Sequence, residues 1–163
     1  MAPNRGRYAP VRVLEVVDNG ALGISGSERH KKVIDALLPK PVRFKLIWEK
    51  LRGKRPLFVW APVPPNRDYV ALGHVTTTDA NAPPLDAVRC VPIQWCQKAG
   101  QPKKLWDDAG TSGRQGSLWI VNSLGLIAAS DGHDPPQGTF YDLQCRSFLC
   151  TSDLRIVPDG DVD

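Results

Sequence analysis

The segment 130–134, SDGHD, holds a dense group of side chains that could do chemistry. Ser130, Asp131, His133 and Asp134 stand within five residues, and such hydroxyl, carboxylate and imidazole groups can ligate a cation or exchange protons. However, Asp-Gly favours a chain reversal, and Asp134 before Pro135 suits the extended conformation that precedes a proline. The sequence therefore favours a polar turn over a ligand contact, and a ligand contact over catalysis.

Two other polar loops occupy similar places earlier in the chain. One runs from Ser25 to His30, and the other contains Thr77, Asp79 and Asn81. Together with 130–134 these loops are candidate contacts for a ligand or partner. We expect no catalytic residues, no metal and no cofactor, so the chain is predicted not to be an enzyme.

The cysteines and histidines give little support to a metal site. The cysteine pairs are separated by five and four residues, rather than the two typical of zinc clusters. The three histidines fall at roughly matched places but are predicted to be unrelated. We expect the four cysteines to be buried free thiols, and disulfides or a metal site are the alternatives. They are Cys90, Cys96, Cys145 and Cys150.

Positive charge is concentrated in the segment 40–55, KPVRFKLIWEKLRGKR. The chain has a net charge of +4, which divides into +8 over residues 1–56 and −4 over residues 57–163. Such a patch can contact anionic lipid headgroups or phosphates, whereas the alternation of basic and apolar residues favours a solvated strand face. No nucleic acid is expected as a partner. The candidate contacts with an anionic surface are Lys40, Arg43, Lys45, Lys50, Arg52, Lys54 and Arg55.

The elements that would position these residues are predicted to be short strands. The chain contains 15 Pro and 14 Gly spread along its length, which indicates many turns and few long helices. There is no apolar run of about 18 residues, and the start, MAPNRGRYAP, does not look like a signal peptide. These features favour an intracellular protein, either cytoplasmic or peripheral to a membrane.

An internal repeat is visible in the tryptophan-led segments 45–63 and 104–122. Trp48 and Trp106 open the two copies, and Trp60 and Trp119 follow 12 and 13 residues later. Both copies continue with an apolar strand, a turn with Asp, a Pro pair and a final Cys. A fainter third copy lies at 13–38. Glycines beside a leucine in the corresponding strands suggest a bulge or close backbone approach, at Gly23, Gly73 and Gly125.

The repeat predicts an all-β fold, because each copy consists of short β-branched or aromatic segments bounded by turn residues. Three units of about 50 residues could bury their apolar faces together in a pseudo-threefold, β-prism-like arrangement. A β-sandwich or barrel made by duplication is the alternative. Residues 26–38 are the best helix candidate, but strand is favoured there because the matched segments look like strands. The predicted domain is 9–157, with units at about 11–41, 42–101 and 102–150 and loose ends at 1–8 and 158–163.

The second copy contains the segment FVWAPVPPNRDYVALGHVTTTDANAPPLDAVRCVP (58–92), which resembles the vacuolar protein sorting-associated protein 62 family. The signature has an aromatic strand that ends in Trp, a Pro-rich loop, a Tyr-Val-Ala-Leu-Gly segment, a Pro pair and Val-Arg-Cys-Val. The chain departs from this signature at three places. Ala61 stands where the signature has Arg, the loop PPNRDY is longer than the usual Pro-Pro-Gly-Tyr, and His74 stands where the signature has Asp. The resemblance covers about 42–145 and is carried by Trp60, Pro62, Pro64, Pro65, Tyr69, Val70, Ala71, Leu72, Gly73, Val75, Pro83, Pro84, Val88, Arg89, Cys90 and Val91.

The resemblance implies a β-rich module of membrane-trafficking proteins, related to segments of bridge-like lipid-transfer Vps proteins, without established catalytic residues. The leading hypothesis is therefore a non-catalytic binding module of the vacuolar sorting type that docks on an anionic membrane or a protein partner. A sugar-binding, lectin-like β-prism is the first alternative. A structural repeat of a larger assembly is the second.

Overall fold

The computed structural model describes residues 12–16, 27–53, 55–110, 113–144 and 154–158. The chain divides into two compact units, one made of residues 1–24 and 145–163 and the other of residues 25–144. In the smaller unit, β1 (Arg12–Val16) pairs antiparallel with β12 (Leu154–Pro158). The single domain over 9–157 stays a prediction. The segments 1–8 and 159–163 lie outside the described residues.

Strands make up most of the regular secondary structure of the larger unit, which confirms the all-β prediction. Pro, Gly, Asn and Asp residues separate short aromatic or β-branched segments, as expected for strands joined by turns. In chain order its elements are α1 (Ser27–Leu37), β2 (Arg43–Lys50), β3 (Leu57–Val63), β4 (Tyr69–Val70), β5 (Val75–Thr77), β6 (Val91–Pro92), a 3-10 helix (Ile93–Trp95), β7 (Cys96–Lys98), β8 (Lys103–Asp107), β9 (Ser117–Ile120), β10 (Ile127–Ser130) and β11 (Tyr141–Leu143).

The strand predicted at residues 26–38 is wrong, because Ser27–Leu37 forms an α-helix. The segment contains no Gly or Pro to interrupt a helix, and Pro39 ends the helix because it disfavours helical backbone before it. The side chain of Arg89 holds the helix in place. It pairs with Asp35 and donates to the Leu38 carbonyl over 3.1 Å.

Two antiparallel three-stranded sheets form the centre of the larger unit. One has the order β2-β3-β5 and the other the order β8-β9-β10. Each contains a register shift in its first strand, directly before a tryptophan: between Leu46 and Trp48 in one sheet, and between Lys104 and Trp106 in the other. The segments matched in the sequence therefore share strand order and the position of a β-bulge.

The two sheets pack through corresponding faces. Trp48, which is 1% exposed, clusters with Val59 and Ala129. The Trp48 and Trp106 rings lie 5.7 Å apart between centroids. Since an aromatic pair at this distance adds about 0.5–1.5 kcal/mol beyond the burial of its area, the matched tryptophans stabilise the core from both sides.

The tryptophans of the second strands lie on the opposite faces of the two sheets. Trp119 packs with Val121, Ala128 and the half-buried Phe140. Trp60 stacks on Phe58 at 6.5 Å between ring centroids. Both faces of each central strand are therefore covered.

The prism and the third unit stay predictions. The two matched sheets lie in the predicted units 42–101 and 102–150. Much of the first unit, 11–41, lies outside the described residues, including Gly23 and Ser25.

Candidate functional site

A cavity of about 320 Å³ opens where the end of β2 meets the loop between β8 and β9. This volume lies at the lower end of the range for small-molecule sites. The lining combines an indole, a leucine, two carboxylates and three basic side chains. These residues are Trp48, Glu49, Lys50, Leu51, Arg52, Asp108, Gly113 and Arg114.

The buried indole of Trp48 fixes the loop that forms one wall of this cavity. Its Nε1 donates to the Gln115 carbonyl at 2.9 Å and to the Arg114 carbonyl at 3.4 Å. A Cβ on Gly116 would lie 2.0 Å from the same Nε1, so only glycine allows the backbone to approach the ring this closely. The core tryptophan thus positions the backbone of Arg114.

Asp108 closes the base of the same loop. Its Oδ1 accepts from the Gly116 N–H at 2.9 Å and lies 2.7 Å from His133 Nε2, while its own N–H donates to the Gly116 carbonyl at 3.2 Å. The Gly116 N–H and the His133 ring lower the pKa of Asp108, and this outweighs the effect of desolvation. A buried carboxylate is therefore held ionised at the cavity wall.

Arg114 joins the loop to the turn after β10. Its Nε and Nη2 donate to the two carboxylate oxygens of Asp131 at 3.2 and 3.1 Å, and its Nη1 lies 3.9 Å from Glu49 Oε1. The hydrogen bonds from Arg114 to Asp131 raise the pKa of the guanidinium. Two-point pairing of this kind fixes the orientation of both partners.

The structure therefore brings together two groups that the sequence placed far apart. Asp131 and His133 of the predicted polar loop hold the cavity wall, and Lys50 and Arg52 of the basic segment line the cavity. Two other members of the loop lie apart from the cavity wall. Ser130 is the last residue of β10 and pairs with Ser117, and Asp134 is exposed in the turn that follows β10.

The remaining predicted basic contacts are distributed along β2 and its neighbours. Arg43 and Lys45 are exposed on β2, and Arg55 is exposed in the turn before β3. Lys40 Nζ lies 3.9 Å from Asp86 Oδ2. Lys50 lies over the Trp106 ring, 5.6 Å from its centroid. The side chain of Lys54 lies outside the described residues.

The loop with Thr77, Asp79 and Asn81 forms a local turn. Thr77 Oγ1 accepts from Trp60 Nε1 at 2.9 Å and donates to the Asp79 carbonyl at 2.7 Å. Asp79 Oδ1 accepts from the Asn81 N–H at 2.9 Å. These bonds connect the loop to the core tryptophan. Ser25 lies outside the described residues, and His30 lies in α1 without a described side chain.

Cys90 and Cys96 are free thiols, the first fully buried and the second half-buried. Burial raises the pKa of both, that of Cys96 to about 11. Within the described ranges no three His, Cys, Asp or Glu side chains come together as a metal site would require. Cys145 and Cys150 lie outside these ranges.

A second cavity, of about 230 Å³, is lined by several of the signature residues named above. At its edge, His74 binds the free side of β10. Its N–H donates to the Ile127 carbonyl at 2.8 Å, and its Nδ1 accepts from the Ala129 N–H at 3.0 Å. A Cβ on Gly73 would lie 2.9 Å from Leu126 Cβ, so the predicted close approach is confirmed there. Signature residues in the lining are Pro62, Pro64, Tyr69, Val70, Ala71 and Gly73.

Sequence reasoning missed Asp108 and Arg114 as site residues. One signal could have identified the region: an acidic residue follows each matched tryptophan, Glu49 after Trp48 and Asp107 after Trp106. Each marks the point where a strand leaves the core.

The fold and the site define an all-β protein in which two bulged sheets pack face to face beside a charged cavity. Residues 19–150 match the family model described as Vacuolar protein sorting-associated protein 62, and the chain belongs to this family. The family's name associates it with vacuolar protein sorting. No curated protein and no solved structure matches the chain. In the described part of the chain, no helix has the length and apolar character needed to cross a bilayer.

Proposed function

We propose that the chain is a non-catalytic binding module of the vacuolar protein sorting type, which docks on an anionic membrane through the hairpin tip 50–55. On this proposal it is an intracellular, peripheral membrane protein. The family's name supports the sorting role. The hydrogen bonds of Asp131 and His133 support a non-catalytic role, because these side chains hold the fold at the predicted polar loop.

The observation that carries the proposal is the exposure of Leu51. Its side chain is 64% exposed, more than any other large hydrophobic side chain in the described residues. Leu51 stands in the turn between β2 and β3, and the segment 50–55 contains four basic residues and no acidic one. An exposed leucine among cations matches the chemistry of a bilayer interface, where headgroups are anionic and the region beneath them is apolar.

The expected affinity is modest. Each Lys or Arg near an anionic surface contributes about 1 kcal/mol, and burying the exposed part of one leucine adds about 1–2 kcal/mol. The four cations and Leu51 together give docking that is weak and that salt screens strongly.

Vesicle co-sedimentation tests the proposal. Binding to phosphatidylcholine vesicles should increase when phosphatidylserine is included and should fall as salt is raised. Leu51→Ser should reduce binding, whereas Leu85→Ser, which changes another exposed leucine beside Asp86, should not. Equal sedimentation with both vesicle types would refute membrane docking.

A charge-matched pair locates the contact. Arg52→Gln with Arg55→Gln should weaken sedimentation, whereas Lys31→Gln with Lys32→Gln removes the same charge from exposed residues of α1 and should have little effect. Equal losses from the two pairs would show attraction by net charge alone and would contradict docking through the tip.

The alternative functions give different results in parallel measurements. A lectin would select particular sugars on a glycan array without needing anionic lipid. A structural repeat would self-associate in sedimentation velocity and ignore both vesicles and sugars. A protein partner would bind in the absence of vesicles.

A further inference from the structure

The cavity beside the hairpin tip has the chemistry of a ligand site. Its lining offers Lys50, Arg52 and Arg114 as hydrogen-bond donors, and Glu49 and Asp108 as carboxylate acceptors. Ammonium and guanidinium groups only donate hydrogen bonds, and ionised carboxylates only accept them. A complementary ligand therefore carries strong acceptors in one part and hydroxyl donors in another.

The balance of charge indicates which acceptors these are. Lys50 and Arg52 are exposed charges of the lining, whereas Glu49 is half-buried and Asp108 is buried. Because Arg114 is already paired with Asp131, these two cations set the charge at the open side of the cavity, which favours an anion. Arginine and lysine are the side chains that most often contact phosphate oxygens. Carboxylates such as Glu49 and Asp108 would repel a bare phosphate but accept from sugar or inositol hydroxyls.

The lining is also organised before any ligand arrives. Trp48 holds the Arg114 backbone, Asp131 holds its guanidinium, and Gly116 and His133 hold Asp108. A site with fixed side chains loses less conformational entropy on binding than a mobile one.

From this arrangement we infer that the cavity binds a phosphorylated polyol, with the phosphate toward the basic residues and the hydroxyls toward Glu49 and Asp108. The source could be an inositol phosphate lipid headgroup or a free sugar phosphate. The lipid source rests on the proposed function, because Leu51 and Arg52 belong to both the hairpin tip and the cavity. A headgroup at the membrane surface would then lie beside the opening.

Calorimetry with the full chain tests the site without a membrane. Soluble inositol trisphosphate should bind, whereas free myo-inositol and inorganic phosphate, the two partial ligands, should each bind at least about tenfold more weakly. Binding of myo-inositol as tight as that of inositol trisphosphate would overturn the phosphate requirement. Equally tight binding of inorganic phosphate would overturn the polyol requirement, and no binding of inositol trisphosphate would overturn the inference.

Substitutions then place the ligand. Arg52→Gln, which removes a cation, and Glu49→Leu, which removes the hydroxyl acceptor, should each weaken inositol trisphosphate binding about tenfold, and neither residue is part of the buried core. Lys98→Gln, at an exposed position on β7, is the control and should bind as the wild type does. Wild-type affinity in both cavity variants would place the ligand elsewhere and refute the site.

Vesicles distinguish the two sources and separate the two proposals. Preference for phosphatidylinositol phosphate over phosphatidylserine at equal surface charge, with competition by soluble inositol trisphosphate, supports a lipid headgroup. Soluble binding without this preference supports a free sugar phosphate. Binding of the soluble ligand without vesicle docking would refute the membrane function alone, and docking without soluble binding would refute the cavity site alone.

Discussion

His74 should make the folded chain less stable in mild acid. Its N–H and its ring Nδ1 both bind the edge of β10, at Ile127 and Ala129. A protonated ring carries a hydrogen on each nitrogen, so the Ala129 N–H would then face another N–H. Burial lowers the pKa of His74 from 6.5 to about 4, which means that the folded chain holds the neutral ring.

The size and sign of the effect follow from this pKa. The unfolded chain takes up the proton near pH 6.5 and the folded chain only near pH 4, so between these values the unfolded state binds more protons and stability falls as the pH falls. The full difference corresponds to about 3 kcal/mol, of which about 2 kcal/mol is lost at pH 5 relative to pH 8. Above about pH 7.5 the ring is neutral in both states and adds no pH dependence.

Denaturant unfolding at pH 8 and pH 5 measures this loss. His74→Asn is the control, because its side-chain oxygen lies near the Nδ1 position, can accept from the Ala129 N–H and does not titrate. The wild type should lose about 2 kcal/mol more than this variant between the two pH values. His30 and His133 are present in both proteins and cancel in the comparison. The same loss in both proteins would refute the reasoning.

Three other predictions follow from the packing. Gly116→Ala should destabilise the chain by about 3 kcal/mol or more in chemical denaturation, because the new Cβ would lie 2.0 Å from Trp48 Nε1. Gly100→Ala is the control and should change the stability little, because a Cβ there meets nothing within 4 Å. Deleting Leu105, the extra residue at the register shift of β8, should leave thermal unfolding cooperative, because Trp106 still lies opposite Leu118 in the regular strand that results. Trp106→Ala should instead destabilise the chain by about 2–3 kcal/mol, and loss of cooperative unfolding on the deletion would contradict this register. In a variant whose other three cysteines are changed to serine, the reaction of Cys96 with a thiol reagent at pH 8 can be followed alone. The reaction should be about 100-fold slower in the folded chain than in the unfolded chain, because burial raises the pKa of Cys96 from 9.0 to about 11. Equal rates would contradict this burial.

The strands were predictable because their signals are local. Trp60 and Trp119 stand in short apolar segments between turn residues, and Asp131–Gly132 reverses the chain as expected. The helix at Ser27–Leu37 was not predicted, because the segments matched to it look like strands, whereas this run of 11 residues without Gly or Pro folds as a helix.

The candidate site was less predictable, because its contacts join residues that are distant in sequence. The basic residues Lys50 and Arg52 were identified from charge alone, but their neighbours Asp108 and Arg114 reach them only through the packing of two sheets. The pairing of Arg114 with Asp131 depends on where Trp48 holds the intervening loop. Composition and spacing carry no information on such three-dimensional contacts.

The register shifts connect the core to the cavity. In a regular strand Trp48 would point to the same side as Leu46, which is the side of Trp60, because side chains two residues apart share a face. One extra residue reverses this and turns Trp48 toward Val59, inside the shared core. The strand then leaves the core within a few residues, so the polar residues after the tryptophan reach the rim. A single backbone irregularity therefore buries the aromatic residue and exposes the charged residues that follow it. The corresponding shift in β8 packs Trp106 against Trp48, and the strand then ends directly before Asp108, the carboxylate in the facing wall of the cavity.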